Sequence, residues 1–194
     1  MPNANLRQSS PFSCGAAALL CAAKELGVQK LPGQPQDLKC NMNCERQLYK
    51  LTASTDAQGQ PVQFVDFDKL GYSYPHEVAK TAQKLGLDVT IYSSGIVASI
   101  LTWQYPTVTG LCRDAGFMIY QNEPPALAGN QRMIKIVSTW GLGLHYVMKR
   151  PDGTYMDPGD GQDFGNYAAM NSLGKLYKAT GISLVLERSA TPAT

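Results

Sequence analysis

The stretch QSSPFSCGAAALLCAAKELG, Gln8 to Gly27, constrains this chain more than any other. Ala16 to Ala23 is an unbroken run of small and aliphatic residues, and a helix that is apolar all round has to be buried. A polar, turn-prone lead of Gln8, Ser9, Ser10 and Pro11 runs into Cys14-Gly15 just before that run. Cys14 therefore falls at or near a helix N-terminus. Unpaired backbone N–H groups and the positive end of the macrodipole there favour thiolate over thiol. The predicted helix covers about Cys14 to Leu26, with Gly27 as a left-handed C-cap and Pro32 shortly after it.

A chain of 194 residues, 44% hydrophobic and 16% charged, can bury a substantial core and fits one domain. The expected layout is a single domain over 1–188, with a helical lobe over about 1–103, a sheet lobe over about 104–188 and a flexible tail at 189–194. The net charge of +2 comes without a basic block or an aromatic-interleaved stripe, which argues against nucleic acid as a partner. The longest apolar stretch is far shorter than the roughly 20 residues that span a bilayer, and the N-terminus lacks a basic region followed by an apolar core. The expectation is a chain made in the cytoplasm without a signal peptide, or a domain cut from a longer protein.

Five cysteines make an odd number, so at least one thiol is free. Cys21 reads as a small core residue. Cys40 and Cys44, in KCNMNCE, are spaced for a local disulfide or for two ligands of a metal. No second Cys pair or suitably spaced His pair completes a zinc set, so neither metal nor cofactor is expected.

From Val28 to Pro61 the composition predicts a long, loosely ordered excursion with one short helix around Cys44 to Leu51. Helical spacing of Val78, Ala82 and Leu85 predicts a helix from Pro75 or His76 to Leu85, followed by a strand over Leu87 to Tyr92. Ile96 to Trp103 reads as another short helix. Strands are predicted over 118–121, 133–139, 144–149, 154–157 and 182–187, with a helix-like segment near Tyr167 to Tyr177. Helices early and adjacent strands late indicate an α+β fold with an antiparallel sheet.

Two histidines are available as a base. His145 opens a strand in GLGLHYVMKRPDGTYMDPGDG, where a turn at Pro151, Asp152 and Gly153 predicts a hairpin. The hairpin brings Asp157 to within about one residue of opposite His145, and a carboxylate there can orient the imidazole of a Cys–His pair. Asp160 and Asp163 compete for that role. His76, after Pro75, reads as a solvent-facing first-turn residue. Gln8 stands six positions before Cys14. Its side-chain amide, with the Cys14 backbone N–H, could stabilise the oxyanion that forms when an amide carbonyl is attacked.

Together Gln8-x5-Cys14-Gly15, His145-Tyr146-Val147 at a strand start, Asp157-Pro158 at a strand end and the segment SYPHEVAKTAQKLGLDVTIYSS resemble the papain-like cysteine peptidase superfamily. The similarity is to the bacterial branch that includes bacteriocin-processing (double-glycine) peptidases and secreted effectors. The order of Cys, His about 130 residues on, then orienter, matches that superfamily. The resemblance implies a papain-like fold in which the Cys helix packs on an antiparallel sheet carrying His and Asp. It implies that Cys14 attacks an amide carbonyl, His145 moves the proton, Asp157 orients His145 and Gln8 lines the oxyanion hole. The chain departs from plant-type members in lacking the aromatic residue that follows the nucleophile's motif. The gap of twelve residues from His145 to Asp157 is short and demands a tight hairpin.

With no propeptide before Gln8, control by other means is expected. By resemblance, the domain is a toxin or effector of a bacterial secretion system, exported and held in check by an immunity, inhibitor or chaperone protein, with a protein or peptide as substrate. A deamidase, a transglutaminase or a peptidoglycan amidase would use the same acyl-thioester intermediate. A non-catalytic binding module on the same fold is the other alternative, and a redox role for Cys40 and Cys44 is a third. Trp140 is a candidate pocket wall or a core residue, and Gly141 and Gly143 would let a substrate backbone approach or simply form a turn.

Overall fold

The computed structural model describes residues 3–56, 58–64, 66–94, 107–139, 143–172 and 174–189. The region expected to form a helix over Ile96 to Trp103, together with Trp140 and Gly141, lies outside them. Five helices and seven strands follow in chain order among the described residues: α1 (Cys14–Glu25), α2 (Met42–Thr52), α3 (Pro75–Lys84), β1 (Leu87–Ser93), α4 (Thr107–Asp114), β2 (Ile119–Tyr120), β3 (Gln131–Ser138), β4 (Leu144–Lys149), β5 (Tyr155–Asp157), β6 (Gln162–Phe164), α5 (Tyr167–Asn171) and β7 (Lys178–Arg188). The strands form one sheet in the order β2-β1-β7-β3-β4-β5-β6. The fold is α+β, as the order of elements predicted.

The α1 helix is the centre of the molecule because its sequence leaves it nowhere else to go. Ala16 through Ala23 are all fully buried, against α2 and α3 on one side and strands β3 and β4 on the other. Burying Leu19 and Leu20 alone contributes about 1.5–3 kcal/mol each. Gly15 is required at the helix start. A Cβ there would stand 2.6 Å from Ser73 Cβ, closer than packed side chains allow, and 3.4 Å from Val78. The Ser73 segment is itself held by Tyr146, whose hydroxyl donates to Ser73 O at 2.6 Å, and by a 2.8 Å contact between the Thr52 and Ser73 hydroxyls. At its other end α1 places Glu25 in the interior, bonded to Arg150 (2.8 Å), Arg132 (2.5 Å) and the Ala4 backbone N–H (2.8 Å).

Three expectations are corrected by the packing. The Val28 to Pro61 segment is not loosely ordered, since Val28, Leu31 and Leu38 are buried in the main core and Leu38 N donates to Gln29 O at 2.8 Å. Sparse apolar anchors in a polar context were enough to seat it. No Cys40–Cys44 disulfide exists, and all five cysteines are free thiols. Cys44 is occupied by the Lys39 N–H (3.4 Å) and Asp37 O (3.6 Å), whereas Cys40 shares a hydrogen bond with Cys21 of α1. Finally, β1 falls in the first half of the chain yet is built into the sheet, antiparallel to β7 and parallel to β2. That parallel pair is the one departure from the antiparallel pattern among the described strands.

Candidate active site

Cys14 opens α1 with Ser13 at the N-cap position, but Ser13 does not cap. Its Oγ instead accepts from Ser10 N (3.1 Å) and lies 2.7 Å from Glu45 Oε1. Glu45, fully buried in the first turn of α2, also accepts from Ser9 N at 2.9 Å. The loop before Cys14 is thus clamped from the side by a carboxylate. First-turn N–H groups of a helix have no intrahelical partner, so those beside Cys14 can face an incoming carbonyl.

His145 and Asp157 meet as the hairpin predicted, with His145 Nε2 and Asp157 Oδ1 2.7 Å apart. The register differs by two residues from a direct pairing. Lys149 pairs with Tyr155 and Met148 with Met156, so the ladder points Asp157 at Val147. Asp157 and His145 are diagonal neighbours on one face, still within reach of each other. With Nε2 on the carboxylate, the other ring nitrogen is left for the Cys14 thiol, whose influence reaches the imidazole. Burial alone would lower the His145 pKa. The hydrogen bonds to Asp157 and Cys14 and their charges outweigh that and raise it to about 9. Burial would raise Asp157, but the hydrogen bond and charge of His145, with Lys175 and the Gly159 N–H, hold its carboxyl well below the usual carboxylate range. The Tyr177 ring stacks on the imidazole at 5.2 Å between centroids.

The second carboxylate oxygen of Asp157 is equally engaged. Oδ2 receives Lys175 Nζ at 2.6 Å and the Tyr177 hydroxyl at 3.1 Å, while Oδ1 also accepts from Gly159 N at 2.8 Å. Of the competing carboxylates, Asp160 binds Lys175 (2.6 Å) and Asp163 binds Arg150 (3.0 Å).

Gln8 lies beside this turn, its backbone N–H donating to Pro158 O at 2.8 Å. Its Nε2 lies 2.8 Å from Ser10 O and 3.0 Å from Pro11 O, so the amide is engaged with its own loop. A groove of about 290 Å³ runs here, lined by Arg7, Gln8, Ser9, Ser10, Pro11 and Gly159. Its Gly159 wall borders the His145 imidazole: a Cβ on Gly159 would be 3.7 Å from His145 Nε2. Gly143 O accepts from Thr139 N at 2.8 Å.

His76 is not solvent-facing but 2% exposed, with Nε2 3.1 Å from Thr55 Oγ1 and 3.4 Å from Glu77 Oε1. Burial lowers its pKa. Its place in the first turn of α3 was read correctly; what that reading lacked was the Thr55 segment folding over it. Lys175, Tyr177 and Glu45 were missed altogether. Lys175 and Tyr177 stand 18 and 20 residues from Asp157, and Glu45 is 32 from Ser13, so no short-range pattern connects them.

Residues 6–189 match the model of a family described as invasion plasmid antigen J, cysteine protease. The chain is 32% identical over 207 residues to the cysteine protease IpaJ of Shigella flexneri, an alignment that covers 95% of this chain and 78% of that protein.

Proposed function

Because the chain belongs to the invasion plasmid antigen J family of cysteine proteases, we propose that it cleaves a peptide bond through an acyl-thioester formed on Cys14, with His145 as acid and base and Asp157 as the orienter. The observation that carries this reading is the 2.7 Å contact of Asp157 with one nitrogen of an imidazole whose pKa the neighbouring Cys14 also raises. The Cys14 thiol passes its proton to His145, and the imidazolium so formed is stabilised by Asp157. The Cys14 thiolate attacks the carbonyl carbon, the imidazolium protonates the leaving amine, and the neutral imidazole then takes a proton from the water that hydrolyses the thioester. Family membership favours this over deamidation, transglutamination, muropeptide cleavage or a purely binding role.

The oxyanion is met by the N–H of Cys14 at the helix start. Gln8 contributes by exchanging a carbonyl of its own loop for the oxyanion, a short swing from its place beside Ser10 and Pro11. The substrate is a protein or peptide, and its backbone runs along the groove between Gln8 and Gly159. The wider role is that of an exported effector, restrained in its producing cell by an inhibitor or chaperone protein. Among the described residues no helix is long and apolar enough to cross a membrane.

Cys14→Ala tests the nucleophile. It should abolish cleavage of an unfolded protein such as casein while moving the Tm by no more than ~3 °C, since one sulfur atom is all that the core loses. Cleavage retained by that variant would sink the proposal.

A further inference from the structure

Asp157 is fully buried and every acceptor position of its carboxylate is used, but only one of its four partners belongs to the proposed triad. The others are the Gly159 N–H, the Tyr177 hydroxyl and Lys175, whose ammonium lies 2.6 Å from both Asp157 Oδ2 and Asp160 Oδ2. Two carboxylates on one four-residue turn repel each other unless a cation stands between them. Lys175 supplies it, walled by the rings of Phe164 (4.6 Å) and Tyr177 (5.9 Å).

The backbone around Lys175 is arranged for this contact at some conformational cost. Leu176, between the two residues that grip Asp157, has φ +51, a left-handed conformation that non-glycine residues rarely adopt. The Asn171 side chain holds the next residue from both directions, accepting from Tyr177 N and donating to Tyr177 O, each at 2.8 Å. A bulge in β7, where the register against β3 shifts between Lys135 and Val137, bends the strand just after this segment. The buried Thr180 hydroxyl fills the gap in the ladder by donating to Ile136 O at 2.7 Å.

We infer that Lys175, assisted by Tyr177, is a positioning residue of the reaction: it neutralises Asp160 against Asp157 and pins the Asp157 carboxylate in the one orientation that keeps the imidazole aimed at Cys14. The role rests on the triad proposed above. The charged and titratable groups involved are Cys14, Asp157 and Tyr177 around His145, and Asp157, Asp160 and Tyr177 around Lys175. The turn that Lys175 holds also carries Pro158, which receives the Gln8 backbone N–H, so both sides of the groove are anchored through it.

The test uses the full chain and iodoacetamide as the probe of Cys14, which requires no knowledge of the natural substrate, alongside casein cleavage. Lys175→Met should slow alkylation at pH 7 and cut kcat by about tenfold or more with KM little changed, because an unanchored carboxylate orients the imidazole only part of the time. The alkaline limb of the profile should move to lower pH as His145 loses its steady partner, and Lys175→Arg should restore both. Tyr177→Phe, which keeps the ring stack and removes one contact to Oδ2, should shift rate and limb in the same direction by a few-fold and serves if Lys175→Met does not fold. A Lys175→Met protein with a lower Tm but unchanged kcat and limb would make Lys175 a structural brace only. A limb moving to higher pH would make it a through-space charge, and either result overturns the inference. Failure of the triad itself is separate, since it would appear as cleavage by Cys14→Ala.

Discussion

The helix that carries Cys14 and the turn that carries Asp157 meet at His145, but one is seated by apolar burial and the other by charged hydrogen bonds. Around α1 the placement of the thiol is a by-product of packing Ala16 to Ala23, so no single polar contact decides it. Around Asp157 four polar groups from three different stretches of chain converge on one carboxylate. A nucleophile placed by bulk packing should tolerate changes at its own side chain. A base placed by a polar network should lose geometry and stability together.

Asp157→Ala puts that contrast under the greatest stress. It strands the buried partners of the carboxylate, so a loss of about 3–5 kcal/mol is expected with activity essentially gone. Thermal unfolding beside casein cleavage measures both, and a Tm as little affected as that of Cys14→Ala would erase the difference between the two sides. Glu45→Ala probes a buried carboxylate on which the loop before Cys14 depends. The Ser9 N–H and Ser13 hydroxyl lose their acceptor, which should cost about 1–3 kcal/mol and slow Cys14 alkylation as the loop loosens. An unchanged alkylation rate would show that α1 alone positions the thiol.

A change of pH is the smallest perturbation. His145 is raised from 6.5 to about 9, so its ion pair contributes stability in full below pH 6.5 and loses it as pH climbs through 9. Activity should therefore be flat from pH 7 to 8 and about half lost near pH 9, read from initial rates of cleavage. A limb near 6.5 would mean that Asp157 does not act on His145 in solution.

The α1 side was largely legible in the sequence. The all-apolar run names its own burial, Cys14-Gly15 marks the helix start, and the close approach of Ser73 explains why glycine follows. His145 and Asp157 were legible because a hairpin is a local structure, although the two-residue offset depended on a ladder that turn chemistry only brackets. The misreadings share one cause. His76, the Val28 to Pro61 segment and the partner of Cys40 were each judged from neighbours in sequence, while their surroundings come from remote segments.

What the sequence determined by itself was therefore the elements that present Cys14, His145 and Asp157, because periodicity, helix starts and tight turns act over a few residues. What only the tertiary structure decided was how those groups are held: Glu45 against the Ser9 to Ser13 loop, and Lys175 and Tyr177 against Asp157. These contacts join residues 18 to 36 positions apart. Their energies arise from shared burial and charge neutralisation, which exist only after the chain has closed around α1.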